Sequence, residues 1–107
     1  MWKKSEIKKA LGAGFDLKNV KDVKINGNTV GCSGFIGTAR GLVYINTDGG
    51  ICGNKGQAFI YRTATGLRDY AGGANQWFKP KMDEKNPLDG LAERINGAHK
   101  LTKCDWL

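Results

Sequence analysis

Asp22-Val23-Lys24-Ile25-Asn26-Gly27-Asn28-Thr29-Val30 decides the fold class of this chain. Apolar and polar residues alternate up to Ile25, the period of a strand with one buried face. Asn26-Gly27 then supplies two residues that tolerate positive φ, as a two-residue type I′ turn requires. A β-hairpin is the expected result. Counting outward from the turn pairs Ile25 with Asn28, Lys24 with Thr29 and Val23 with Val30. That register puts Val23, Ile25, Val30 and Cys32 on the buried face and sends the lysines to the other.

C-terminal to the hairpin, Gly31, Gly34, Gly37 and Gly41 recur too closely for a flat strand. They imply bulges, a bend or the close approach of another backbone. They do not make a nucleotide loop, because neither G-x-x-x-x-G-K-[ST] nor a G-x-G-x-x-G between strand and helix occurs. Leu42-Val43-Tyr44-Ile45 and Ala58-Phe59-Ile60-Tyr61 are two further β-rich runs. With short connections they extend the hairpin into an antiparallel sheet of about four strands. The loop between them, residues 48–57, carries four glycines and Lys55 and is a candidate ligand-binding loop.

Helical signals flank the sheet. Ser5 can cap a short first helix in which Ile7, Ala10 and Leu11 form an apolar stripe, and Gly12 and Gly14 end it. Thr65 can cap a helical turn over residues 65–71. Asn86 and Pro87 suit the N-cap and first position of a last helix, whose stripe is Leu88, Leu91, Ala92 and Ile95 and whose stop is Gly97. The expected architecture is α+β: an antiparallel sheet of about four strands, with a short N-terminal helix and a C-terminal helix packed on one face. At 107 residues the chain, 1–107, has the size of a single domain.

Charge narrows the function classes. Seventeen Lys and Arg against ten Asp and Glu give a formal charge of +7, which favours encounter with polyanions. Lys3, Lys4, Lys8, Lys9, Lys18, Lys21 and Lys24 outnumber Glu6, Asp16 and Asp22 in the opening segment. A second basic stretch, with Arg62, Arg68, Lys79 and Lys81, surrounds Gln76 and Trp77, an amide and an aromatic of the kinds that bond to and stack on bases. The candidate nucleic-acid contacts, to DNA or RNA, are therefore Lys3, Lys4, Lys8, Lys9, Lys24, Arg62, Arg68, Gln76, Trp77, Lys79 and Lys81. Against this stand two plainer readings: lysines solubilise surfaces, and a Trp-Phe pair commonly anchors a core. The alternative partner is a protein, held by Trp77, Phe78, Trp106 and Leu107.

Catalysis finds no support. The one histidine, His99, follows the last helix, no carboxylate pair or nucleophile is placed with a base, and no cofactor motif is present. Cys32, Cys52 and Cys104 lack C-x-x-C spacing and read as buried thiols rather than metal ligands. No apolar run reaches the roughly 20 residues of a membrane span, and the N-terminus lacks a secretory pattern. A cytoplasmic, non-membrane protein, monomer or homodimer, is expected.

Gly31-Cys32-Ser33-Gly34-Phe35-Ile36, Tyr44-Ile45-Asn46-Thr47-Asp48 and Asp69-Tyr70-Ala71-Gly72-Gly73-Ala74-Asn75-Gln76 resemble stretches of small uncharacterised proteins of bacterial mobile elements and phages. That resemblance implies a DNA-associated accessory protein or an inhibitor of a host defence protein. It carries no activity. The helix, sheet, helix order is also similar to that of double-stranded RNA-binding domains, but no lysine cluster opens the last helix, where that family contacts phosphate.

Overall fold

The computed structural model describes residues 2–48, 58–70 and 75–98. It is an α+β fold in which a five-stranded antiparallel sheet is covered on one face by two short helices. The elements are α1 (Lys4–Leu11), β1 (Asp16–Ile25), β2 (Asn28–Thr38), β3 (Gly41–Asn46), β4 (Phe59–Ala64), β5 (Gln76–Phe78) and α2 (Leu91–Gly97). The strands lie side by side in chain order, so every neighbour is reached by an antiparallel return.

The opening hairpin has the expected turn: Asn26 and Gly27 both adopt positive φ, 51° and 80°. Ile25 pairs with Asn28 and Lys24 with Thr29, but Val23 faces Gly31 instead of Val30. Val30 is thus an extra residue on β2, and the bulge shifts the register that the turn alone would propagate. Ile25 is also not buried. It is 59% exposed, because Asp22, opposite buried Cys32, faces the helices, and alternation then turns Val23 and Ile25 to the outer face and Lys24 to the helix side, the reverse of the expected facing.

A second bulge explains the glycine spacing. Lys18 pairs with Phe35 and Lys21 with Ser33, leaving Asn19 and Val20 opposite Gly34. Asn19 takes positive φ, 55°, which turns Val20 into the core. Gly34 makes room for this, since a Cβ there would press on Val20 Cα and stand 2.6 Å from the Asn19 carbonyl oxygen. Gly31 similarly admits the backbone of Asp48.

The two faces differ in chemistry. Cys32, Ile36, Val43, Ile45, Phe59, Tyr61 and Phe78 meet Ile7 and Leu11 of α1 and Leu88, Leu91 and Ile95 beside and within α2. On the opposite face Phe35, Tyr44 and Ile60 form a smaller cluster. Tyr70, from the turn after β4, packs edge-on against Phe35 and Tyr44.

Both helices depart from their expected starts. α1 begins at Lys4, and its amides are satisfied by acids rather than by Ser5: Glu6 accepts from the Lys3 N–H at 3.0 Å and Asp22 of β1 from the Lys4 N–H at 2.8 Å. Gly12 ends α1 with φ 73°, as expected of a C-terminal glycine. α2 begins at Leu91, not near Pro87. Residues 86–90 form turns instead, and Gly90 enters the left-handed region at φ 85°, interrupting the helix that the apolar stripe suggested. Over the described residues 65–70 no helix forms after β4 either: Thr65 uses its N–H and hydroxyl to hold the Asp69 carboxylate, closing a turn. Among the described residues no helix is long and apolar enough to cross a membrane.

Candidate nucleic-acid interface

α1 is amphipathic in a way that leaves its outer surface to lysine. Ile7 and Leu11 are buried, Ala10 is half-buried, and Lys4, Lys8 and Lys9 are exposed, as is Lys3 at the N-cap. At 3.6 residues per turn Lys4 and Lys8 lie about 40° apart on one flank. The other flank, with Glu6 and Ala10 and bordered by Lys9, faces residues 86–89, Asp89 among them, across an open cavity of about 430 Å³.

The lysine flank is continuous with β1. The Lys4 N–H to Asp22 bond fixes the start of α1 on that strand, and Asp22 is paired with buried Cys32, which places its side chain on the helix-covered face. Lys24, two residues further along β1, shares that face because strand side chains alternate. Lys3, Lys4, Lys8 and Lys24 therefore flank one corner of the molecule, with Lys9 beyond them on the outer ridge of α1, where it borders the cavity; all five are exposed. The local acids Glu6 and Asp22 accept backbone N–H groups. None of the five lysines is held in an ion pair by a described residue.

The second candidate group is dispersed. Trp77 pairs with Ile60 on the face away from the helices and is 39% exposed, while its backbone carbonyl accepts from Arg94 of α2 at 2.8 Å. Gln76 is half-buried, and Arg68, Lys79 and Lys81 are exposed around the β4–β5 end of the sheet. Trp77 and the α1 lysines thus lie on opposite faces and at opposite ends of the strand order. Lys18 and Lys21, across from Phe35 and Ser33, also belong to the outer face.

Arg62 and Phe78 are not surface groups. Arg62 is 2% exposed, lies 4.6 Å over the Tyr44 ring, donates to the Asp69 carbonyl at 2.7 Å and pairs with the Asp69 carboxylate at 3.5 Å. A guanidinium so enclosed fastens the turn after β4 to the sheet and cannot reach a phosphate. Phe78 is buried against Phe59, with ring centroids 5.3 Å apart, so it anchors the core. Trp106, Leu107 and most of the glycine-rich loop lie outside the described residues.

The residue that sequence reasoning missed is Tyr70. It is 56% exposed yet rests on Phe35 and Tyr44, giving the outer face a second accessible aromatic besides Trp77. Its position in a turn gave no periodic signal; only the neighbouring aromatics across the sheet locate it.

Cys32 is the one described cysteine. Burial pushes its thiol up to about 11, although the nearby Thr47 hydroxyl opposes the shift. Such a thiol is a poor nucleophile and metal ligand at neutral pH. Thr47 has a structural part: its hydroxyl donates to the Trp2 carbonyl and accepts from the Cys32 N–H at 2.9 Å, tying the segment before α1 to the sheet. Among the described residues no cluster of three or more His, Cys, Asp or Glu is arranged to hold a metal ion.

The chain matches no protein-family model, no curated protein and no solved structure.

Proposed function

We propose that this protein is a non-enzymatic nucleic-acid-binding module, an accessory of a phage or mobile element, whose contact surface is the lysine corner formed by α1 and β1. One observation carries the reading. Four exposed lysines flank this corner and a fifth, Lys9, stands on the adjoining ridge of α1, against two carboxylates, Glu6 and Asp22, that keep their charge while accepting backbone N–H groups. Surface lysines cost little to leave in water, but a cluster with positive charge in excess raises the local potential and attracts phosphate. The lysines stand on a helix and a strand that a tertiary hydrogen bond joins, so their spacing is set by the fold.

Fluorescence anisotropy with a labelled oligonucleotide at about 25 mM salt tests it. Binding lost on the combined substitution of Lys4, Lys8, Lys9 and Lys24 by Ala, with the far-ultraviolet circular dichroism unchanged, supports the reading. Substitution of Arg68, Lys79 and Lys81 by Ala removes almost as much charge from the other end of the sheet and leaves binding largely intact. Equal losses from the two variants would reduce the effect to net charge alone.

A protein partner is the second reading, favoured by Tyr70 and Trp77 exposed on the outer face. In that case Trp77→Ala abolishes a stoichiometric complex that survives nuclease treatment, whereas the lysine variant retains it.

A further inference from the structure

Resting on the nucleic-acid reading, we infer that the lysine corner takes a duplex and holds it through its phosphates alone, without contacts to bases. The accessible aromatics stand apart from the corner. Among the described residues these are Tyr70 and Trp77 on the outer face, which also carries Lys18 and Lys21, whereas the corner offers Lys3, Lys4, Lys8 and Lys24, with Lys9 on the adjoining ridge of α1. On the helix side Trp2 and Phe15 are half-buried and packed against the core.

Single strands are retained largely by such rings, at about 1–3 kcal/mol per stacked base. A surface of lysines without them forgoes that gain and depends on counterion release. Release is greatest from a duplex, which carries one charge per roughly 1.7 Å of axis, and the dependence of log K on log salt is about −0.9 per neutralised phosphate for duplex DNA against about −0.7 for a single strand. Five lysines give a slope of about −4.5, or about a 500-fold loss of affinity from 50 to 200 mM salt. Lysine is also a point charge without Arg's planar fork, so the described residues of the corner suit phosphate better than the bidentate geometry of a base edge.

The test measures anisotropy of the full chain with a DNA duplex in two unrelated sequences, an RNA duplex and a poly-dT strand, all of 24 nucleotides per strand, from 25 to 250 mM salt. The expected result is binding of a duplex at least tenfold tighter than of poly-dT, less than threefold difference between the two DNA sequences, and no change on Trp77→Ala. The two duplex arms identify whether B-form or A-form geometry is preferred, and binding of either supports the inference. Tighter binding of poly-dT, or a tenfold loss on Trp77→Ala, overturns the duplex assignment while sparing nucleic-acid binding as such. Failure to bind any of the four at 25 mM salt removes the nucleic-acid reading itself.

Discussion

Replacing Gly34 by Ala adds a single methyl group, and it goes where β1 bulges against β2. Its Cβ would stand 2.6 Å from the Asn19 carbonyl oxygen and press on Val20 Cα, both backbone atoms with no rotamer to retreat into. Gly→Ala at a strand position of ordinary φ otherwise stabilises by about 0.4–1 kcal/mol through the unfolded chain. Forcing extra volume into a packed site costs typically about 1–3 kcal/mol, and backbone neighbours put this case toward the upper end. A net destabilisation of about 2 kcal/mol is expected, equivalent to a fall in Tm of about 8–16 °C for a domain near 100 residues. Urea unfolding followed by circular dichroism measures it, with Gly37→Ala as the control. At Gly37 the nearest atom is Lys18 Cε at 3.0 Å, the movable end of a long side chain, so that variant should lie within about 0.5 kcal/mol of the parent. If Gly34→Ala is as stable as Gly37→Ala, the bulge does not depend on the missing Cβ and the account of the β1–β2 packing is wrong.

Asp22→Ala removes the acceptor for the first amide of α1, and a lost cap of this kind costs about 1 kcal/mol; amide exchange within α1 should quicken more than exchange in β3 or β4. The Cys32 thiol, raised to about 11, should resist a thiol reagent at pH 8 until the chain unfolds, since about one part in a thousand is thiolate there. Only labelling that can be assigned to Cys32 by mass spectrometry counts. The same raised value means that the folded state holds the proton more tightly than the unfolded one. Its contribution is complete below about pH 9 and is lost as pH rises toward 11. The stability difference between parent and Cys32→Ala should shrink over that interval, and a difference constant from pH 8 to 11 would contradict it.

What could be read in the sequence was what local chemistry determines. Asn26-Gly27 specified its turn because few pairs accept positive φ twice, and Gly12 stopped α1 for a similar reason. Ile7, Leu11, Leu91 and Ile95 entered the core at their helical spacing. The failures arose where tertiary contacts decide. Val30 looks like an ordinary alternating residue, and nothing near it announces the bulge that moves Val23 opposite Gly31. Ile25 is apolar, yet it is exposed because the two bulges set which way β1 faces, and its alternation turns Asp22 and Lys24, not Val23 and Ile25, toward the helices. Three-residue β5 is too short to show alternation and exists by pairing with β4. Gly90 sits inside an apolar stripe, but its left-handed conformation delays α2 to Leu91.

The candidate site divides the same way. Exposure of Lys4, Lys8 and Lys9 follows from the burial of Ile7 and Leu11, so that part was legible. The role of Arg62 was not, because a basic residue on a strand looks solvent-bound until Asp69, seven residues on, turns back to meet it beside Tyr44. The separation of Trp77 from the α1 lysines likewise depends on strand order, which places β1 and β5 at opposite edges of the sheet.

The most direct test of the central claim is the salt dependence of duplex binding by the parent chain and by the variant with Ala at positions 4, 8, 9 and 24. A slope of log K against log salt of about −4.5 is expected for the parent, falling to about −1 in the variant with only Lys3 left at the corner. An unchanged slope in the variant would contradict it, because the phosphates would then be held somewhere other than the corner between α1 and β1.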